Sequence, residues 1–120
     1  MGNPHAVISL PSVAAAAVAR IGAALEHHAA FAQRVNVGFM EIHSPQQIRL
    51  RVFERGVGET FACGTGACAA VAVGRRRGTL ANRVQVELPG GTLSVNWPGP
   101  SEHVWLTGPA ETAFVGQADI

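Results

Sequence analysis

The feature that most constrains this chain is a helical stretch with almost no side chains. Residues 65–77 are expected to form an apolar helix, and its Gly66, Ala67, Ala69, Ala70, Ala72 and Gly74 are small on every side. A helix at a protein surface normally carries one apolar stripe and one polar face. A helix that is small all round lets other elements approach from several directions. The pattern therefore predicts a helix enclosed by a sheet. Gly78 suits the position just past the helix end, and Arg75, Arg76 and Arg77 complement its negative terminus.

The flanking segments read as strands. Ala6-Val7-Ile8-Ser9-Leu10 opens the chain, residues 34–42 alternate, and Ile48, Leu50 and Val52 alternate with Arg49, Arg51 and Phe53 after a Ser44-Pro45 turn. Val84, Val86 and Leu88 line one face of a further strand. Pro89-Gly90-Gly91 turns it into a hairpin with residues 92–97. Two short strands are expected at 104–108 and 110–115. A first helix is expected over 13–30, with Ser12 as N-cap and Val13, Ala17, Ile21 and Leu25 as its buried stripe. The reading is α+β: five or six antiparallel strands, one helix covering the sheet and a central helix wrapped by it. With 120 residues, the chain is expected to be a single domain over 1–120.

Composition narrows the function. A net charge of +1 argues against a nucleic-acid partner. No apolar run approaches the length of a membrane span. Gly2-Asn3-Pro4-His5 begins at a loop-to-strand junction without a leader-like segment, so the expected location is the cytoplasm, with Cys63 and Cys68 reduced. That abrupt start also reads as the interior of a longer protein.

Chemistry concentrates between Phe53 and Cys68. Cys63 precedes the small-residue helix, whose first residues are Gly64, Thr65 and Gly66. The first amides of a helix lack intrahelical acceptors, and glycines leave them open to a carboxylate or phosphate. A helix start also favours a thiolate, by about 0.3–1 kcal/mol. Cys63 is therefore a candidate acid/base, the alternative being a small buried residue. Cys68 lies five residues on, about 500° around the helix and about 7.5 Å along it, so it faces roughly the opposite way and cannot close a disulfide with Cys63. It reads as core. Scattered histidines and the lack of a C-x-x-C pair argue against a metal site, and no local signature supports a Cys–His hydrolase. Glu54-Arg55 can be a surface ion pair or a grip on a zwitterionic ligand. Asn3 and Asn36 alone read as turn caps, and His5 as a surface histidine.

Taken together, these segments resemble diaminopimelate epimerase. Gly2-Asn3-Pro4-His5, Asn36-Val37-Gly38-Phe39, the run from Glu54-Arg55-Gly56 through Cys63-Gly64-Thr65-Gly66-Ala67-Cys68, Glu87-Leu88-Pro89-Gly90-Gly91 and Leu106-Thr107-Gly108-Pro109-Ala110 carry the resemblance in order. It implies the C-terminal half of a two-domain fold, each half a sheet wrapped around a helix. It also implies a two-base epimerase without pyridoxal phosphate or metal, interconverting LL- and meso-2,6-diaminopimelate for lysine and peptidoglycan synthesis. On that resemblance Cys63 is catalytic, with His5 supporting a catalytic group. Asn3, Asn36, Glu54, Arg55, Gly64 and Thr65 contact the substrate. The second cysteine would come from a missing N-terminal half, so the chain alone is expected to be inactive, or to pair with a second copy. The alternatives are a non-catalytic binding domain of this fold, or a related racemase or isomerase.

Overall fold

Two crossovers decide how the strands of this protein pair. The computed structural model describes residues 2–119. In chain order the elements are β1 (His5–Ser9), α1 (Val18–Glu26), β2 (Asn36–Ser44), β3 (Gln47–Glu54), β4 (Gly58–Thr60), α2 (Gly64–Arg76), β5 (Arg83–Leu88), β6 (Gly91–Asn96) and β7 (Trp105–Thr107). The strands form one sheet in the order β1-β2-β3-β5-β6-β7, with β4 paired to β3 off that path.

The sheet is mixed, which corrects the expectation of antiparallel strands throughout. β1 runs parallel to β2, and β3 parallel to β5. The other pairs are antiparallel. Parallel neighbours need a long crossover, usually one that holds a helix. The two helices lie in the β1–β2 and β3–β5 connections, so each imposes one parallel pair.

Period-two alternation then sorts the side chains. Val7, Met40, Ile48, Leu50, Val52, Val84, Val86 and Val95 face α2 and pack with Ala67, Cys68, Ala70 and Val71. Val37, Phe39 and Phe53 point to the other face and pack with Val13, Val18 and Val35 beneath α1. As expected, α2 is the enclosed helix and α1 the cover. α2 reaches β1, β2, β3 and β6. Its small residues are required there: a Cβ on Gly74 would fall on Leu80.

α1 departs from the expected 13–30 helix. It starts at Val18, its N-cap position is Ala17 without a side-chain cap, and it buries Val18, Gly22 and Glu26. Of the expected stripe, Val13 is buried and Ile21 and Leu25 pack partly buried on the same core, but Ala17 is exposed and Val18 and Gly22 take the most buried places. Tertiary bonds account for the shorter helix. Val13 N–H donates to Glu41 Oε2 at 3.0 Å. Arg51 Nη1 donates to the carbonyls of Val13, Ala14 and Ala16 at 2.8–3.4 Å. These contacts hold 13–17 in a turn. β2 begins two residues later than expected because Arg34 adopts φ 63°, outside the extended region.

The glycine-rich stretch yields one unexpected strand, β4. The strand expected at 110–115 does not form. Phe114 and Val115 are 85% and 91% exposed, showing that alternation without a neighbouring strand to bond does not produce one. Among the described residues, no helix is long and apolar enough to cross a membrane.

Candidate active site

The register of the first three strands assembles a row of polar residues at one end of the sheet. His5 pairs with Asn36, and Val37 with Phe53, which sets Asn36 beside Glu54. His5 is two residues from Val7, Asn36 four from Met40, and Glu54 two from Val52, so all three share the α2 face. β4 runs back from Gly58 opposite Glu54 to Thr60 opposite Val52, and three residues later the chain enters α2. The start of α2 therefore lies at this same end. Its far end is fixed near Ser9, which accepts from Arg77 Nη1 at 3.2 Å.

Cys63 is the N-cap of α2, extended at φ −147° and ψ 105°. Its Sγ accepts the Gly66 N–H at 3.3 Å and lies 3.6 Å from Thr65 Oγ1. The Cys63 carbonyl accepts from Ala67 N at 3.0 Å. Gly64 and Thr65 occupy the first two helical positions, whose amides have no acceptor within a helix. The sulfur is not openly exposed: Cys63 is 7% accessible and belongs to the α2-side core. Glycine at 66 makes room for this packing: a Cβ there would come within 3.1 Å of both Cys63 Sγ and Val52, which would have to give by a few tenths of an ångström. Exposed Ala62 and Thr65 flank the thiol, and Leu106 of β7 approaches Gly64.

Asn36 is one of two buried polar side chains among the described residues, at 4% exposure. Its Nδ2 donates to the Pro4 carbonyl at 3.1 Å, and its Oδ1 accepts the Arg55 N–H at 2.8 Å. It joins the loop of Asn3 and His5 to the turn of Glu54 and Arg55. Asn3 itself is half-buried in an open cleft with Phe31, Gln33 and Arg34. His5 Nε2 is sealed from solvent and has no hydrogen-bond partner among the described residues. Burial pushes this imidazole below its usual range; Glu54 opposes the shift and Arg55 adds to it. His5 is thus a neutral ring at neutral pH with a free polar atom.

Glu54 and Arg55 do not form the surface ion pair that a sequence could suggest. Arg55 Nη1 donates instead to the Gln33 carbonyl at 3.1 Å. Their turn closes through Val57 N–H to the Glu54 carbonyl at 3.1 Å, with Gly56 at φ 75°. Cys68 sits in the α2 core, where burial first and nearby Cys63 second raise its thiol above the usual range. Arg75 is spent on structure, donating to the Trp97 and Pro98 carbonyls.

One residue at this site carries no motif signal. Glu26, the last residue of α1, is 5% exposed and accepts the Gly56 N–H at 2.7 Å. A glutamate near a helix end is ordinarily solvated, so only the packing of α1 against β3 reveals it.

Known proteins resemble this chain in sequence and in fold. Diaminopimelate epimerase from Alkalilimnicola ehrlichii is 60% identical over 117 residues, covering 98% of this chain and 42% of that protein. The enzyme of the same description from Halorhodospira halophila is 57% identical, covering 100% and 42%. That from Thioalkalivibrio sulfidiphilus is 58% identical, covering 100% and 44%. The chain thus spans less than half the length of these relatives. Among solved structures, a Bacillus anthracis phenazine biosynthesis protein of the PhzF family superposes with a TM-score of 0.61 at 23% identity, over 80% of this chain and 30% of that one, which shows a shared fold. The diaminopimelate epimerase family model matches residues 1–113, so the chain, its Cys63 helix start and its His5–Asn36–Glu54 row included, belongs to the diaminopimelate epimerase family.

Proposed function

We propose that residues 1–120 form the C-terminal domain of a cytoplasmic, cofactor-independent epimerase that interconverts LL- and meso-2,6-diaminopimelate. The observation that carries the reading is the Cys63 thiol capping α2 beside the Gly64 and Thr65 amides. In one direction, the Cys63 thiolate takes the substrate α-proton. The Cα–H bond breaks, an S–H bond forms, and the electron pair delocalises onto the α-carboxylate. Helix-start amides aimed at that carboxylate stabilise it most where its charge grows, which lowers the barrier. A thiol on the opposite face of the carbon then gives up its proton to complete the inversion. Cys68, buried in the core, is not that thiol. It comes from the part of the relatives that this chain does not span.

Arg55 and Glu54 grip the substrate's carboxylate and ammonium groups. Asn3 and Asn36 line the same end. His5, neutral and unpartnered at Nε2, accepts or donates a hydrogen bond once that end is closed. Exposed Phe61 and Leu106 beside the α2 start are the surface that meets the rest of the protein, or a second copy when it is missing.

The test is to fuse the N-terminal portion of the Alkalilimnicola enzyme to this chain and follow α-proton exchange of LL-diaminopimelate in D2O. The fusion turns over, the 120-residue chain alone does not, and Cys63→Ser in the fusion loses about 10²–10⁴-fold in rate. A folded fusion without turnover, beside an active parent enzyme, sinks the reading. The low exposure of Cys63 and its acceptance of the Gly66 N–H favour a second reading, a helix cap in a binding domain. Serine caps a helix as well, so on this second reading the fusion shows no turnover and Cys63→Ser leaves its fold and stability nearly unchanged.

A further inference from the structure

The turn that presents Glu54 and Arg55 is held from inside the protein at two consecutive amides. The Arg55 N–H is taken by Asn36 Oδ1 at 2.8 Å and the Gly56 N–H by Glu26 Oε1 at 2.7 Å. These acceptors belong to the two buried polar side chains among the described residues, at 4% and 5% exposure. They arrive from different elements, Asn36 from the start of β2 and Glu26 from the end of α1.

A buried carboxylate is costly without partners. The partners here are few. Besides Gly56, Arg34 Nη1 lies 3.8 Å from Oε1 and His27 Nε2 3.9 Å from Oε2. Arg34 takes up the positive φ noted above within the connection from α1 to β2. α1 itself is brought close by Gly22, where a Cβ would overlap the Phe53 ring. One helical turn after that contact, the Glu26 carboxylate reaches the turn that follows Phe53.

We infer that Glu26 is a positioning residue: through the Gly56 amide it fixes the backbone of the Glu54–Arg55 turn, and so the directions in which those two side chains meet a substrate. The inference rests on the epimerase reading for its consequence in turnover, but not for the clamp itself. With Gly56 held at φ 75° and Arg55 held by Asn36, the turn cannot rotate without breaking a bond to a buried acceptor. A charge-assisted bond of this length is among the stronger ones in proteins.

Amide hydrogen exchange on the 15N-labelled 120-residue chain tests the clamp directly. Gly56 is exposed, so a free amide there exchanges at the rate of an unstructured glycine. The expected result is protection of the Gly56 amide by about tenfold or more, lost in Glu26→Ala and largely kept in Glu26→Gln, which retains the acceptor. An unprotected Gly56 amide in the unmodified chain overturns the proposal even if neither variant folds. In the fusion described above, Glu26→Ala raises KM about tenfold while kcat changes less, and Glu26→Gln restores KM. An unchanged KM in Glu26→Ala, with the unmodified fusion active, also overturns it. If that fusion is inactive, the epimerase reading fails, and the exchange measurement still decides the clamp.

Discussion

α1 and α2 lie on opposite faces of one sheet and reach their places by different means. α2 is locally self-specified. Small residues on every side, a cysteine cap, arginines at its end and Gly78 at φ 76° all agree with the observed bounds. α1 has high alanine content and a plausible serine cap, yet forms only over Val18–Glu26. Its first expected turn is taken over by Arg51 and Glu41 from the sheet, and its last residue by the Glu54–Arg55 turn. The lesson is that enclosure from all sides restricts a sequence enough to be read directly. A one-sided cover is anchored by a few polar contacts whose partners lie 28–38 residues away.

The largest expected effect weighs the two faces by core truncation. Phe39 under α1 and Leu50 under α2 are both fully buried. Phe39→Ala should cost about 3–5 kcal/mol and Leu50→Ala about 2–5 kcal/mol in urea unfolding. If both faces belong to one cooperative unit, each variant shows a single transition by fluorescence and by circular dichroism. Separate transitions would break the picture of one sheet shared by two layers.

Arg51→Ala is next. It removes the bonds to the 13–17 turn and the paired 2.8 Å bonds to Glu59. The expected loss is about 1.5–3 kcal/mol. Exchange should rise across α1 and leave α2 amides protected. Equal loosening of both helices would show that the anchor of α1 is not separable from the core.

The smallest effect concerns His5. Its folded-state value lies below the ordinary 6.5, so the unfolded chain binds more protons through that window. Stability is therefore fully present above about pH 6.5 and declines as pH falls through and below that value. His5→Gln should flatten the slope of the urea midpoint between pH 7.5 and 5.5. An unaltered slope would mean that the imidazole is as free to take a proton in the fold as outside it.

The candidate site was legible where one residue type meets one backbone requirement. Cys63 before Gly64-Thr65-Gly66 declared a helix start with open amides, and the structure adds that the thiol itself caps that helix. His5, Asn36 and Glu54 lie in three separate segments. Nothing in their spacing states that they form a row, because that depends on strand register. Asn36 alone reads as a turn cap, yet its amide bridges two loops at both ends. Glu26 was hidden entirely within a helical pattern.

Local requirements, set by side-chain size and backbone freedom, were written into this sequence: an enclosed small-residue helix, its glycine-rich start, the alternating strands and the Pro89-Gly90 turn. Only the tertiary structure decided the two parallel pairings, the trimmed α1, the missing 110–115 strand and the acceptors that clamp residues 55 and 56. The reason is physical. A hydrogen bond between residues tens of positions apart is fixed by the arrangement of whole elements, and no short stretch of sequence encodes its own distant partner.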